Sequence, residues 1–256
     1  MSNAALILAA GMAAAAGLMG CFAVMRRMAL AGDALSHVAL PGIGIALALH
    51  INPLFGAAAM LLFGSLLVWA VEERSRLTTE LVVGVIFSTA LAIGSFLTSG
   101  PDLIDALFGG LSPAVTTTEF VFGLAAVAAV IGFVVLKKRA LVIALVSPDI
   151  ARTNGIDVGR LNLLYLEMFA LTVALGLRYL GVLLMGSLII IPAAAAKRLS
   201  RGLNEMLVVS AGIAVVVTLV GSGVGTWLHK PTGPVIVSLA AAVFFLTLVL
   251  TERRAA

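Results

Sequence analysis

Asp33 and His37 are the residues of this sequence whose types and spacing point most clearly to chemistry. They lie in the run 32–42 (GDALSHVALPG), inside sequence that is otherwise almost entirely apolar. Residues four apart on a helix share one face at about 6 Å, so this carboxylate and this imidazole can share a ligand. Together the two groups suit zinc, manganese or iron. An ionisable pair within an apolar segment is costly and indicates function, and we therefore expect a divalent metal ion here.

Structural roles for the same residues stay open. Asp33 could cap the start of a helix, and His37 could be a core histidine bonded to a neighbouring helix. Two ligands also leave a coordination sphere incomplete, so water, a backbone carbonyl or another helix would supply the rest. Glu167, the other acid in an apolar stretch, is a candidate further metal ligand or gate, or a side chain that hydrogen-bonds near the inner surface. Cys21 is the single cysteine and has no partner for a disulfide.

The composition places the chain in a membrane. Of its 256 residues, 62% are apolar and only 11% are charged, whereas soluble domains carry roughly 25% charged residues. The mean hydropathy is +1.19. Long apolar runs separated by short polar stretches predict many membrane-spanning helices. The net charge of +4 does not indicate a nucleic-acid partner, because the basic residues have a topological role instead.

We predict an all-α integral membrane protein, a bundle of eight to nine transmembrane helices. The two shortest candidates, 33–50 and 180–196, each contain a proline, so either could be a broken or re-entrant helix. Such backbone is tolerated in a membrane only inside protein or along a cavity. The external stretch 99–118 is expected to be a loop with a short interfacial helix at 103–110. The nine candidate spans are 4–25, 33–50, 53–71, 80–98, 119–136, 160–178, 180–196, 205–228 and 234–251.

The basic residues set the predicted orientation. Arg26 and Arg27 follow the first apolar run, whereas a secretory signal peptide has its positive end first, so we expect this run to be a retained span. With the N-terminus outside, fourteen of the sixteen Lys and Arg residues fall on the cytoplasmic side, and only Arg178 and Lys230 fall outside. That distribution follows the positive-inside rule. The predicted topology is N-out and C-in.

A short helix is predicted on the cytoplasmic side, in the segment 147–158. Ser147 suits an N-cap, Pro148 the first helical position and Gly155 the C-terminal stop. A helix this short is marginal alone, so we expect it to dock on something, although a plain capped loop helix stays open. The loops are too short for a soluble domain, and the chain 1–256 is therefore expected to be a single transmembrane domain.

Several segments in register resemble the permeases of the zinc/manganese/iron class of ABC importers. The run 33–42 resembles the start of the second helix in these permeases, and the resemblance covers almost the whole chain. The other matching segments are 52–53 (NP), 74–76 (RSR) with Glu80 and 84–88 (GVIFS), 107–110 (LFGG) with 112–113 (SP), Ala151 with Gly155, 181–184 (GVLL) with 190–194 (IIPAA), and 231–234 (PTGP).

This resemblance implies a permease subunit of an ATP-driven importer of zinc, manganese or iron in a bacterial-type plasma (inner) membrane. It implies three partners: a second permease copy or close relative, cytoplasmic ABC ATPase subunits, and an extracytoplasmic solute-binding protein that delivers the metal. By similarity, the segment 147–158 is the coupling helix that docks on the ATPase, with Asp149, Ala151 and Gly155 as the matching positions. The metal would be cargo, with no cofactor bound permanently.

Other classes of function use different sequence features. The sequence has no Gly-x-x-x-x-Gly-Lys-Ser/Thr loop, so ATP hydrolysis belongs to a separate subunit and this chain is not expected to be an enzyme. A proton- or ion-coupled secondary transporter could use the same Asp/His pair, but it would not need a docking helix and would often show internal repeats. An intramembrane metalloenzyme ranks last, because no His-Glu-x-x-His motif is present and the three histidines lie in separate segments.

Overall fold

The computed structural model describes residues 3–75, 77–97, 116–180 and 182–255, and all regular secondary structure within them is helical. The interfacial helix predicted at 103–110 lies outside these residues. The helices are α1 (Asn3–Met25), α2 (Ala31–His37), α3 (Ala39–Ala48), α4 (Pro53–Ser75), α5 (Thr79–Leu97), α6 (Thr117–Val146), α7 (Pro148–Thr153), α8 (Val158–Leu180), α9 (Val182–Leu199), α10 (Leu203–Leu228) and α11 (Thr232–Ala255).

Eight segments among the described residues are long and apolar enough to cross a membrane, with α2 and α3 together forming one of them. Beside these, α9 is a further helix of 18 residues within the bundle. The predicted all-α, multi-pass architecture is confirmed. Its orientation in the membrane stays a prediction, since it rests on the distribution of basic residues.

The two proline-containing segments behave differently from each other. The segment predicted at 33–50 is interrupted at Val38, which separates α2 from α3. Pro41 lies in the first turn of α3, where its missing N–H is tolerated. By contrast, α9 stays helical with Pro192 inside it. It packs against α1, α2, α10 and α11, and a proline within a membrane helix is tolerated where neighbouring helices surround it.

α6 is longer than predicted. The expected span ended at 136, before the basic cluster 137–139, but the helix continues through that cluster to Val146. Apolar residues follow the cluster and continue the helix until Ser147, which directly precedes Pro148. The helical conformation is disfavoured for a residue before proline, and α6 therefore ends there.

α1 is the central helix of the bundle. It packs against α6, α8, α9 and α10, and its side chains Met12 and Met19 are fully buried. Alanine and glycine predominate in α1, and such small residues let helix backbones approach closely in a membrane. Ser210 on α10 donates a hydrogen bond of 2.7 Å to the carbonyl of Gly17. Around this core, α2 contacts α5, α8 and α9, which fixes the place of the Asp33 and His37 pair.

Candidate functional site

Asp33 and His37 both lie on α2, within the segment Ala31–Ala48 that is apolar enough to cross a membrane. Asp33 is exposed on the surface of the chain and His37 is half-buried, whereas their neighbours Leu35 and Ser36 are buried. The four-residue spacing places the carboxylate and the imidazole on one face of the helix. Because the opposite face is buried, α2 presents this pair outward.

The structure gives neither residue the structural role that the sequence left open. The N-cap of α2 is Leu30, so Asp33 lies inside the first turn and does not cap the helix. The Nδ1 atom of His37 is buried and has no hydrogen-bond partner in the part of the chain that the structure describes. The pair therefore has the geometry of two side chains that can meet a ligand.

Gly186 on α9 determines how closely that helix approaches α2 behind Asp33. A Cβ atom at Gly186 would lie 2.7 Å from both the Cα and the N of Asp33, so the backbone would have to shift. Gly32 makes a second close approach, because a Cβ atom there would lie 3.3 Å from Cζ of Phe169 on α8. Gly186 thus lets α9 contact the backbone of α2 at Asp33, and Gly32 leaves room beside it for the Phe169 side chain.

Gly186→Ala is therefore expected to lower metal uptake although the residue offers no ligand. The added methyl group displaces the backbone of α2 at Asp33, and we expect a loss of about tenfold, typical of a residue that orients a metal contact. Initial rates of metal uptake by cells that express each variant measure the effect. Gly212→Ala on α10 is the matched control, since a Cβ atom there meets nothing within 4 Å. Equal uptake by the two variants would contradict this account.

Glu167 does not join Asp33 and His37. Within the described residues, no three or more His, Cys, Asp and Glu side chains come together as a metal site. Glu167 on α8 instead accepts a hydrogen bond of 3.0 Å from the hydroxyl of Ser65 on α4. The structure thus leaves Glu167 as a polar contact between α4 and α8, apart from the Asp33 and His37 pair.

The short helix α7 begins where the sequence predicts. The hydroxyl of Ser147 accepts a hydrogen bond of 3.3 Å from the backbone N–H of Ile150. Pro148 is the first residue of the helix, where its fixed φ and its missing N–H are compatible with helical structure. The cap and the proline together define the start of α7.

A Schellman motif ends α7 at Gly155. The backbone N–H of Gly155 donates to the carbonyl of Arg152 at 3.0 Å, and the N–H of Ile156 donates to the carbonyl of Ala151 at 3.0 Å. Gly155 has a φ of +74°, the left-handed conformation that this motif needs and that glycine adopts readily. The chain therefore turns sharply back toward α8.

The surface that α7 offers to a partner differs from the one that the resemblance implies. Ala151, one of the three implied coupling positions, is fully buried within the chain. Because α7 packs on α6 and α8, Ala151 anchors this helix and is not free to contact another subunit. Asp149 and Ile150 are exposed, and Arg152 pairs with Asp149 at 3.2 Å. These three exposed side chains form the outer face of α7.

The sequence pattern of the ABC 3 transport family matches residues 1–251. The chain belongs to this family. It is 31% identical to the manganese import system permease protein ScaB of Streptococcus parasanguinis, over 94% of this chain and 87% of that protein. It is 30% identical to the high-affinity zinc uptake system membrane protein ZnuB of Haemophilus influenzae, over 92% of each. The solved structure of PsaBC from Streptococcus pneumoniae in complex with Fab aligns with a TM-score of 0.81 and 28% identity, covering 96% of this chain and 89% of that one.

This ABC 3 family member carries a polar network at the end of the bundle that bears α7. Arg26 donates a hydrogen bond of 2.6 Å to Asn162, whose amide donates one of 3.0 Å to Glu72. The hydroxyl of Thr79 donates to the same carboxylate at 2.7 Å. The guanidinium lies 4.1 Å from the centre of the Tyr165 ring, and burial lowers the pKa of Arg26. The network ties together α1, α4, α5 and α8.

Three features of this ABC 3 family member could not be predicted from its sequence. They are the close approach at Gly186, the polar network around Arg26, and the contact between the rings of Phe87 and His37. The centroids of the Phe87 and His37 rings lie 5.3 Å apart. Phe87 belongs to the run 84–88 that the resemblance singles out, so the sequence marks this residue without giving it a role. Gly186 carries no comparable signal, because glycine is frequent in membrane helices.

Proposed function

We propose that this chain is the membrane-spanning permease subunit of an ATP-driven importer of divalent transition-metal ions, namely zinc, manganese or iron. Membership of the ABC 3 transport family over residues 1–251 supports the class of transporter. The names of the two relatives, a manganese import permease and a zinc uptake membrane protein, support the class of cargo.

One observation carries the proposal: an exposed carboxylate on a helix within a membrane-spanning segment. Asp33 is exposed and lies in the segment Ala31–Ala48. A charged side chain that faced hydrocarbon there would be costly, so this face of α2 has to meet water, a cation or another protein. His37 on the same face adds a nitrogen ligand, which makes a transition-metal ion the best-matched cation.

A second permease, either another copy or a close relative, would enclose this face. Two ligands per chain are too few for a closed site, whereas two chains that meet along α2 would double that number. In this arrangement the ion passes between the chains. Cytoplasmic ABC ATPase subunits drive the cycle, and an extracytoplasmic solute-binding protein delivers the ion to the outer end.

The site holds the ion only for the moment of passage. Pro41 has no backbone N–H, so it cannot donate the usual helical bond to the carbonyl of His37, four residues earlier. That carbonyl oxygen is a third candidate ligand beside the carboxylate and the imidazole. Few protein ligands and retained water molecules favour modest affinity, as transport demands that a bound ion also be released.

A displacement of α7 would be transmitted to the transmembrane bundle through the helices beside it. A polar cavity of about 540 Å³ lies between α7 and the network at Arg26, and Arg152 of α7 lines it together with Glu73 and Glu80. ATP binding by the partner subunit would displace α7, and this displacement would change how α1, α4, α5 and α8 meet at that end. The helices would thereby open the pathway alternately to the two sides of the membrane.

Metal uptake into proteoliposomes tests this function. The vesicles contain the permease with its ATPase subunit and hold ATP inside, and the solute-binding protein and zinc, manganese or Fe²⁺ are added outside. We expect ATP-dependent accumulation of at least one of the three metals, and none with a non-hydrolysable ATP analogue inside. Uptake that needs no ATP and follows an imposed proton gradient would overturn the proposal in favour of a secondary transporter.

A further inference from the structure

We infer that Phe87 on α5 is a positioning residue of the metal site, one that holds the imidazole of His37 in the orientation that meets the ion. The inference rests on the proposed metal-transport function. It assigns a role to the run 84–88, which neither the sequence nor the proposed mechanism explains.

The contact between the two rings is direct. Their centroids lie 5.3 Å apart, and their planes are tilted by 57°. This is within the range of distances and tilted geometries that aromatic pairs prefer. His37 and Phe87 are both half-buried, so the pair borders the outward face of α2. Phe87 therefore contacts the imidazole from α5 at the border of that face.

His37 lacks the usual means by which a metal-binding histidine is oriented. Such a histidine normally donates its second ring N–H to a carboxylate, a backbone carbonyl or water, and this bond fixes the ring. Nδ1 of His37 is buried without a hydrogen-bond partner among the described residues. Packing against Phe87 takes the place of that bond. Because Nδ1 is buried, Nε2 is the nitrogen that meets the ion.

The backbone around Phe87 is itself held in place. A Cβ atom at Gly94 on α5 would lie 2.9 Å from the Cβ of Leu40 and 3.3 Å from the ring of Pro41, so α5 and α3 are in close backbone contact. Val83 and Ala90, on either side of Phe87 along the helix, are buried. Ser88 donates its hydroxyl to the carbonyl of Gly84 at 2.9 Å. Phe87 is thus a fixed surface against which the imidazole rests.

Orientation by packing suits a transport site better than orientation by a hydrogen bond. A hydrogen bond to the second nitrogen raises the basicity of the ligand and tightens metal binding. A ring contact restricts the imidazole without that electronic effect. The site can therefore capture an ion and release it again, which matches the modest affinity expected of the pathway.

Direct binding of Mn²⁺ to the permease in nanodiscs, with its ATPase subunit bound and the binding protein left out, tests this role. With the binding protein present, capture of the metal by that protein would set the concentration dependence of uptake. Phe87→Leu removes the ring and keeps an apolar side chain, whereas Phe87→Tyr keeps the ring. We expect Phe87→Leu to raise the Kd for Mn²⁺ about tenfold with the ATPase subunit still bound, and Phe87→Tyr to stay near wild type. Phe96→Leu on the same helix is the matched control, because that side chain is 90% exposed.

The outcomes separate this inference from the function on which it rests. Metal uptake by the wild type together with equal Kd values in Phe87→Leu and Phe96→Leu overturns the positioning role alone. A Phe87→Tyr variant as impaired as Phe87→Leu also overturns it, since the ring itself would then be irrelevant. Failure of the wild-type transporter to take up any of the three metals overturns both.

Discussion

Asp33→Asn and His37→Gln are each expected to abolish metal uptake. Both replacements keep the size of the side chain but remove the charge of the carboxylate or the basic nitrogen, so the ion loses one of its two side-chain ligands. Loss of a residue that only orients a ligand typically costs 10–100-fold in metal affinity or activity. Loss of a ligand itself should cost more than about 100-fold. Initial rates of uptake by the assembled transporter, with zinc, manganese and Fe²⁺ in turn, measure this loss.

The double variant separates a shared site from two independent effects. Because Asp33 and His37 would hold one ion, the double replacement should be hardly worse than either single one, as expected of residues that act as a unit. His50→Gln is the matched control, since His50 is exposed just beyond the end of α3. Normal uptake by either single variant, with the ATPase subunit still bound, would contradict the assignment of the pair.

Ile150→Glu is expected to weaken the docking of the ATPase subunit on α7. Ile150 is 55% exposed on the outer face of α7, where an apolar side chain can anchor a partner. A carboxylate at this position would have to lose its water on docking, so binding of the ATPase subunit should weaken by about 100-fold or more. Uptake should fall in proportion. Co-purification of the two subunits and the rate of uptake measure the effect.

A second change tests the shape of α7 and not its surface. Gly155→Ala forces a left-handed conformation on alanine, which costs about 1–2 kcal/mol, so the Schellman motif weakens and uptake should fall by an intermediate amount. Asp157→Asn in the same loop is the control, because Asp157 is exposed and its replacement keeps an oxygen that can accept from the N–H of Arg160.

For the Ile150→Glu variant, unchanged co-purification with the ATPase subunit would mean that α7 is not the docking surface.

Local features of the molecule could be predicted because they depend on neighbours in the sequence. The apolar runs fix the membrane class, and the spacing of Asp33 and His37 fixes their common face. Ser147, Pro148 and Gly155 define α7 through a cap, a fixed φ and a left-handed turn. Each of these signals acts over a few residues, and the sequence displays it directly.

Contacts between distant helices could not be predicted in the same way. Helical periodicity says which residues share a face of one helix, but not which helix that face meets. The approach of Gly186 to Asp33 and the contact of Phe87 with His37 depend on the packing of α9 and α5 against α2. The two prolines make the same point: Pro41 follows a break in its span, whereas Pro192 lies within a continuous helix that its neighbours enclose.

The nitrogen atoms that coordinate the transported ion provide the most direct test. Mn²⁺ bound to the assembled transporter in nanodiscs, purified without a histidine tag, is measured by electron spin echo envelope modulation. The chain has three histidines, so replacing each one by glutamine identifies the source of the signal. An imidazole nitrogen coupled to manganese in the wild type, in His50→Gln and in His229→Gln, but lost in His37→Gln, is the result that this account predicts. A nitrogen coupling that survives in His37→Gln would contradict a metal pathway through Asp33 and His37.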